Sequence, residues 1–265
     1  MKIGINMGAY PIAVDEQVRL MKKYGFEATF SIAGTASFEE ELAVCEQNGI
    51  VHETVHAPFR RINDIWLDTP EGEAKLSSLL RAVDACEQHG ISYLVVHLSS
   101  GQHPPRINPL GISRFAQLMT YAKEHGVTIA YENQRLLSNI SLAFEEFADA
   151  RFCFDTGHQA CFTPKIPFMT LFGDKTVAVH IHDNHAVFDS DEHLLPYDGT
   201  LKLEDAMRAL AKTPYSGAIM LEVVATHTSY YKDTAAEEYY ARAAAAAKRL
   251  RDVFLEQRGA SSRIE

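Results

Sequence analysis

The feature that most constrains the fold is an alternation of strand-like and helix-like segments that repeats eight times along the 265 residues. Each repeat pairs a short apolar run with a segment whose apolar residues recur at helical spacing. Eight such pairs favour a closed barrel of parallel strands over an open, doubly wound sheet. We therefore predict an α/β fold, a parallel eight-stranded (β/α)8 TIM barrel that forms a single domain over residues 1–265, with a frayed tail at 257–265.

The individual elements can be placed from apolar spacing and from turn residues. The predicted strands are 2–7, 27–32, 51–59, 93–98, 128–133, 152–157, 176–183 and 218–223. The predicted helices are 14–25, 37–49, 69–90, 112–126, 141–150, 167–173, 202–212 and 235–256. Ser37 followed by Glu40 predicts a capping box at the second helix. Glycine ends four of the first five helices, as expected of a helix C-terminal stop.

Residues that can ligate a metal or move a proton occur mainly at one end of these strands, the C-terminal end. They are His56, His97, Glu132, Asp155, His180 and Glu222, with Asp191 and His193 in the loop after the seventh strand. In a barrel these ends converge on one mouth about 10–15 Å across. Carboxylates gathered there would repel one another and raise their pKa values unless a cation lay among them. The pattern therefore predicts a bound divalent metal.

Four of these residues end the last four strands and form the predicted metal-binding set: Glu132, Asp155, His180 and Glu222. Carboxylates with one imidazole suit Mn²⁺, Zn²⁺, Co²⁺ or Mg²⁺. Of the two histidines in HIHDN we predict His180 as the ligand. His158, three residues after Asp155, either ligates a second metal or hydrogen-bonds the substrate. Because neither GxGxxG nor GxxxxGK[ST] follows a strand, we expect no nucleotide cofactor.

The loop FRRINDIW after the third strand is a candidate for substrate contact. An aromatic plane beside cations suits a sugar ring, so we predict Arg60 and Trp66 as substrate-binding residues. Tyr10 and Phe59 are further candidates for an apolar wall. The net charge of −10, together with the separation of the cations in the strand-end loops, argues against nucleic acid as a partner.

The chain shows no sign of a membrane or secretory role. It has no charged leader before an apolar segment and no run near the roughly 18 apolar residues of a membrane helix. Its four cysteines lack CxxC spacing and are interpreted as buried thiols. We therefore expect a cytoplasmic protein without a membrane partner. The oligomeric state stays open, with a homodimer as one alternative.

Seven motifs in chain order resemble those of the xylose isomerase-like TIM-barrel superfamily. They are VHAPF, VVHLSS, YENQ, FDTGH, HIHDN, DEHLLP and LEV. This superfamily contains sugar isomerases, ketose 3-epimerases and the apurinic endonuclease IV. The resemblance to the epimerases implies one metal on the four-residue set. It also implies that Glu132 and Glu222 act as acid and base beside the carbonyl, and that His158 contacts the substrate.

The resemblance to endonuclease IV implies a larger ligand set for three zinc ions. That set would add His56, His97, His158, Asp191 and His193. These five residues are called here the outer set. They either hold additional metal or bind the substrate, and we expect substrate binding by His56, His97 and His158. One segment, Tyr197-Asp198-Gly199, departs from the Gly-Glu-Gly turn usual in relatives, which puts the geometry of that loop in question.

Residues and resemblance together predict a divalent-metal-dependent isomerase or epimerase of a small sugar, sugar phosphate or polyol-like ketone. It would work by Glu-mediated proton transfer through a metal-stabilised enediolate. Two alternatives stay open: a multinuclear-zinc phosphoesterase like endonuclease IV, and a dehydratase of the same superfamily. The sequence names neither the sugar nor the number of metal ions.

Overall fold

Eight parallel strands close into a barrel in the structure, a computed structural model that describes residues 1–261. The strands are β1 Ile3–Ile5, β2 Ala28–Ile32, β3 Val51–His56, β4 Tyr93–Val96, β5 Thr128–Glu132, β6 Arg151–Asp155, β7 Thr176–His180 and β8 Ile219–Leu221. They pair in chain order from β1 to β7, and β8 pairs with β1. Just past β7, a bridge from Ile181 to Leu221 closes the ring. The predicted TIM-barrel fold is confirmed.

Helices follow the strands and cover the barrel. They are α1 Val14–Tyr24, α2 Phe38–Gln47, α3 Pro70–Gln88, α4 Pro109–Glu124, α5 Leu137–Glu146, α6 Thr156–Phe162, α7 Phe168–Phe172, α8 Leu203–Leu210 and α9 Ala236–Ser261. Short 3₁₀ turns lie at Ile62–Trp66, Gly173–Lys175 and Ser229–Tyr231. The first four helices are followed, as predicted, by a glycine in the left-handed conformation, at Gly25, Gly49, Gly90 and Gly126.

Two helices, α4 and α5, begin at least three residues earlier than predicted, α5 at Leu137 and not at 141, and one predicted cap does not form. α4 begins three residues earlier than predicted, since the Asn108 side chain accepts a hydrogen bond from the Gly111 N–H at 2.9 Å. Pro109 then occupies the first helical position, where its missing N–H costs nothing. The predicted capping box at Ser37 does not form, because the Ser37 hydroxyl donates instead to the Glu41 carboxylate at 2.7 Å.

One helix that the sequence did not predict, α6, begins directly after β6. The Asp155 carboxylate caps it by accepting a hydrogen bond from the backbone N–H of His158 at 2.6 Å. Seven residues are too few to show a helical apolar period, so the predicted strand ran on to residue 157. The consequence for the site is that Asp155 and His158 are fixed relative to each other by this cap.

The last helix continues beyond its predicted end at residue 256 and reaches Ser261. Its end is held by the guanidinium of Arg258, which donates to three backbone carbonyls between α8 and β8, those of Ala211, Thr213 and Tyr215. These bonds explain why residues 257–261 are helical where fraying was predicted. Residues 262–265 of that tail lie outside the described residues.

The four cysteines are all buried and free, as predicted from their spacing. Burial raises the pKa of the Cys45, Cys86 and Cys153 thiols to about 12, so they stay protonated at neutral pH. Within residues 1–261, no helix combines the length and the apolar character needed to span a membrane.

Trp66 lies beneath α4 and not at the barrel mouth. Its side chain is 2% exposed, and its indole N–H donates to the Leu98 carbonyl at 2.8 Å. The ring packs against Phe115 and against the bare Cα of Gly111. The prediction that Trp66 stacks on a sugar ring is therefore wrong, because both the ring and its polar atom are enclosed by the core.

We expect Gly111→Ala to destabilise the fold by about 3 kcal/mol, since its methyl group would lie 2.0 Å from a Trp66 ring carbon. Urea unfolding followed by circular dichroism would measure the loss. Ser113→Ala, at an exposed position of the same helix, is the matched control and should change stability by less than about 0.5 kcal/mol. Equal stability of the two variants would contradict this packing.

Candidate metal centre

Four residues from adjacent strand ends bring their ligand atoms together at the barrel mouth. Glu132, Asp155 and His180 are the last residues of β5, β6 and β7, and Glu222 directly follows β8. One ligand atom from each lies within 4.8 Å of all the others. The parallel register sets Asp155 directly beside His180. The four residues predicted to bind metal therefore form one compact cluster, called here the inner set.

The inner set is buried and carries several negative charges. His180 Nδ1 lies 2.5 Å from a Glu132 oxygen and 3.3 Å from a Glu222 oxygen. Burial by itself raises the pKa of the Glu132 carboxyl, but the imidazoles of His180, His97 and His158 outweigh burial and hold that pKa well below its ordinary value. Burial and the His180 imidazole oppose each other in the same way at Glu222, and its pKa is also lowered. Positive charge among these carboxylates is thus what keeps them ionised.

Unpaired buried oxygens in the inner set show that its donors fit a metal. Asp155 Oδ2 has no hydrogen-bond partner among the described residues, and Glu222 Oε2 makes no hydrogen bond there beyond its 3.3 Å ion-pair contact with His180 Nδ1. Leaving such an atom unpaired costs about 1–3 kcal/mol, more for a charged group, so a bound cation would relieve a real penalty. Three carboxylates and one imidazole are the donors preferred by divalent ions such as Mn²⁺, Mg²⁺, Co²⁺ and Zn²⁺.

The outer set flanks the inner set on two sides. On the β3–β4 side, His56 Nε2 lies 3.2 Å from His97 Nε2, and His97 contacts the Glu132 carboxylate. On the β6–β7 side, one oxygen of Asp191 lies 3.2 Å from His158 Nε2 and 3.0 Å from His193 Nε2. All five residues predicted for the outer set therefore lie beside the inner set.

Three outer histidines have their ring orientation fixed by backbone carbonyls. The Nδ1–H groups of His56, His158 and His193 donate to the carbonyls of Ala57, Asn133 and Glu222, at 2.7, 3.1 and 3.0 Å. Since a carbonyl can only accept, each ring carries a proton on Nδ1 and presents Nε2 to the site. Burial lowers the pKa of His158 and His193, but the Asp155 and Asp191 carboxylates outweigh burial and raise both pKa values, to about 9 for His193, so these two rings also donate to Asp191 from Nε2. This arrangement is typical of histidines that bind metal or hold a ligand in a fixed orientation.

His182 is a site residue that the sequence prediction missed. Its Nε2 lies 3.1 Å from Asp155 Oδ1, and its ring stacks on His193 with centroids 4.0 Å apart. It also belongs to a group of ligand atoms with His158, Asp191 and His193. The signal was present in the sequence, because side chains two residues apart on an extended strand point to the same face, as His180 and His182 do.

A second missed residue, Gln134, lies between the two sides of the outer set. Its side-chain nitrogen lies 3.2 Å from His97 Nε2 and 3.1 Å from His158 Nδ1, and the residue is buried. Sequence reasoning gave it no role because a single amide after a strand carries no specific chemistry. In the structure its amide nitrogen lies between the two histidines and donates to a Glu132 oxygen at 3.5 Å.

The loop after β3 contributes Phe59, one of the two further candidates for an apolar wall, in place of Trp66. The Phe59 ring lies 5.3 Å from the rings of both His56 and His97 and is 38% exposed, so it can form the apolar wall of the site. Arg60 is exposed and makes no ion pair among residues 1–261, whereas its neighbour Arg61 pairs with Asp64 at 2.8 Å. Arg60 thus stays available to a ligand.

The unusual Tyr197-Asp198-Gly199 turn is held by contacts with the last helix. Asp198 accepts hydrogen bonds from Arg242 and from the Tyr231 hydroxyl, all at 2.7 Å. Gly199 is needed for space, since a methyl group there would lie 2.4 Å from the Asn184 carbonyl oxygen. The loop that carries His193 is therefore anchored, although its turn differs from the one usual in relatives.

Comparison with known proteins gives one family and several structures of the same fold. The family described as "Xylose isomerase-like TIM barrel" matches residues 13–253. D-psicose 3-epimerase from Clostridium cellulolyticum, solved with D-tagatose, superposes with a TM-score of 0.77 at 16% identity over 96% of this chain and 99% of that one. The IolI protein, solved with a zinc atom, gives a TM-score of 0.72 at 18% identity over 97% and 99%.

One curated relative shares part of the sequence. An uncharacterized protein of Sinorhizobium fredii is 36% identical over 86 residues, which make up 30% of this chain. The match covers 27% of the length of that relative. The structural matches are too distant in sequence to show more than the fold.

Proposed function

The chain belongs to the xylose isomerase-like TIM-barrel family, and on that premise we propose that it is a divalent-metal-dependent isomerase or epimerase of a small sugar or polyol-like ketone. The observation that carries the proposal is the inner set, with four converging ligand atoms and unpaired buried oxygens. The proposal is supported by the fold shared with D-psicose 3-epimerase and with a zinc-bound relative.

The four residues of the inner set, Glu132, Asp155, His180 and Glu222, would hold the ion. When bound there, a divalent ion would polarise the ketone carbonyl and stabilise the negative charge that develops on its oxygen. The histidine ring of this set is oriented by stacking on Phe30, with centroids 4.6 Å apart. Rigid packing beneath the ligands keeps their geometry fixed before the substrate arrives.

Glu132 and Glu222 would move the proton. One carboxylate takes a proton from the carbon beside the carbonyl, and the other returns a proton. Return to the opposite face of that carbon gives an epimer, and return to the neighbouring carbon gives an isomer. The Glu222 side chain is 15% exposed against 1% for Glu132, so we assign the first proton removal to Glu222, which faces the open mouth.

The outer histidines would bind the hydroxyl groups of the substrate. His56, His97 and His158 lie beside Glu132, and the fixed Nε2 atoms of His56 and His158 can exchange hydrogen bonds with a polyol. Phe59 would supply the apolar surface against which the carbon face of a sugar packs. Arg60, exposed and free of an ion pair among the described residues, is the proposed contact for a phosphate or carboxylate substituent.

A second candidate function is metal-assisted hydrolysis of a phosphate ester. The observation that favours it is the intact outer set, whose residues form two further groups, one with His182 and one with Glu132, each with at least three ligand atoms within 4.8 Å. Additional zinc ions there would activate water as a nucleophile. A dehydratase is the third alternative, since it begins with the same proton removal and ends in the loss of water.

The test is a substrate screen on protein stripped of metal and reloaded with Mn²⁺, Co²⁺, Zn²⁺ or Mg²⁺. Ketoses, aldoses, inososes and their phosphates would be followed by chromatography, alongside a phosphodiester and an abasic duplex. We expect conversion of one sugar into its isomer or epimer, and about one metal ion per chain by elemental analysis. Phosphate release or strand cleavage without sugar conversion would overturn the proposal in favour of hydrolysis.

A further inference from the structure

One carboxylate that has no role in the proposed reaction, that of Asp189, contacts several segments on one side of the barrel mouth. Asp189, in the loop after β7, accepts hydrogen bonds from Arg135 Nε at 2.7 Å and from Gln102 at 2.5 Å. A second nitrogen of Arg135 lies 2.6 Å from the same carboxylate. The Asp189 backbone N–H donates to the Cys161 carbonyl at 3.1 Å. The loops after β4, β5 and β7 and helix α6 therefore meet at one residue.

Arg135 is held in place from a second direction. Its guanidinium carbon lies 3.7 Å from the centre of the Phe162 ring, and Phe162 in turn stacks on His158. A planar guanidinium that is both stacked and paired loses little freedom on binding its carboxylate, which a lysine cannot reproduce. Arg135 thus connects the Asp189 carboxylate to the wall of the outer set.

Besides Asp189, the loop of residues 185–192 is held by the contacts of Asp191 with His158 and His193 and by a contact between its two ends. Its ends are joined by His185 and Glu192, whose side chains lie 3.0 Å apart. Its tip, Val187 and Phe188, is 57% and 70% exposed. Ala186 and Asp189 adopt positive φ angles of 56° and 60°, which non-glycine residues hold only when contacts enforce them. The position of the loop therefore depends on its hydrogen bonds and ion pairs and not on the packing of its tip.

This loop also carries a residue of the outer set. Asp191 lies two residues after Asp189 and places one oxygen between His158 Nε2 and His193 Nε2, at 3.2 and 3.0 Å. A shift of the loop by one ångström would take these contacts out of hydrogen-bond range. Whatever holds Asp189 therefore also sets the arrangement of two histidines at the mouth.

We propose that Arg135 and Asp189 are a positioning pair that holds loop 185–192 so that Asp191 stays between His158 and His193. Neither residue takes part in proton transfer. Loss of the pair lets the loop move, which weakens substrate binding while the inner set keeps its geometry. The kinetic part of this inference rests on the proposed function, whereas the structural part does not.

The experiment compares Arg135→Ala, Asp189→Ala and Arg135→Lys in the metal-loaded protein. Hydrogen exchange measured by mass spectrometry on peptides covering 185–192 is the first readout, since the backbone N–H groups of His185, Ala186, Asp189 and Ser190 are hydrogen-bonded. We expect at least about tenfold faster exchange in both alanine variants and an intermediate rate in Arg135→Lys. Lys123→Ala, which removes an exposed ion pair with Asp149 at 2.7 Å, is the control and should exchange at the wild-type rate.

The second readout is steady-state kinetics on the sugar found in the screen. We expect KM to rise about tenfold in both alanine variants while kcat stays within about threefold, because binding is affected and proton transfer is not. Unchanged exchange in both alanine variants would overturn the proposal, and so would faster exchange with unchanged KM. If no sugar is converted by the wild-type protein, the proposed function fails, and the exchange result alone decides the role of the pair in holding the loop.

Discussion

Glu132→Gln and Glu222→Gln are each expected to reduce kcat by about a thousandfold. Glutamine preserves the size and the hydrogen-bonding reach of glutamate, but it cannot accept the proton from the carbon beside the carbonyl. The measurement is the initial rate on the converted sugar, with saturating metal. Bound metal should be determined in parallel, because both carboxylates also belong to the inner set and a lost ion would by itself lower the rate.

The matched control for these variants is Glu53→Gln. Glu53 is another partly buried glutamate on a barrel strand, but it accepts a hydrogen bond from the Ala218 N–H at the opposite end of the barrel. Burial raises the pKa of its carboxyl, so it resembles a site glutamate in environment but not in position. We expect its rate to stay within about threefold of wild type. A wild-type rate in either Glu132→Gln or Glu222→Gln would disprove the assignment of that residue.

Removal of metal with a chelator is expected to abolish turnover and to lower the free energy of unfolding. An ion present at 100 times its Kd stabilises the folded state by about 2.7 kcal/mol. For a chain of this size that corresponds to a fall in Tm of about 5–10 °C. The physical reason is that Asp155 Oδ2 has no hydrogen-bond partner among the described residues and that three buried carboxylates share one imidazole, so a bound ion would balance their charge. Differential scanning calorimetry with and without chelator measures the effect.

A variant that lacks one ligand separates this effect from general action of the chelator. Asp155→Asn keeps the shape of the side chain and an oxygen that can still cap α6, but it removes one negative charge from the inner set. Its Tm should respond much less to chelator than the wild-type Tm does. Equal responses in the two proteins, or wild-type activity in chelator, would show that the inner set does not bind the stabilising ion.

The barrel and the inner set could be predicted because both follow from local patterns. Strand and helix periods are written in consecutive residues, and parallel strand ends must meet at one mouth, so Glu132, Asp155, His180 and Glu222 could be brought together without coordinates. The same two-residue period could have identified His182. The outer set was predicted to lie close by for the same reason, although its role stays a proposal.

The features that escaped prediction depend on contacts between distant residues. Trp66 is buried under α4 because it packs against Gly111 and donates to the Leu98 carbonyl. Neither contact can be recognised from the sequence around Trp66. Arg135 and Asp189 are 54 positions apart, and each looks like an ordinary surface charge when taken alone. Helix α6 owes its start to one carboxylate cap, which outweighs the absence of an apolar period.

The most direct test of the account is the anomalous difference map from a crystal grown with Zn²⁺ and recorded at the zinc absorption edge. We expect a peak bound by oxygens of Glu132, Asp155 and Glu222 and by a nitrogen of His180, at about 2.0–2.2 Å. The same peak should be absent from a crystal of Asp155→Ala. A map with no peak at the inner set, or with ions bound only by the outer histidines, would contradict the account.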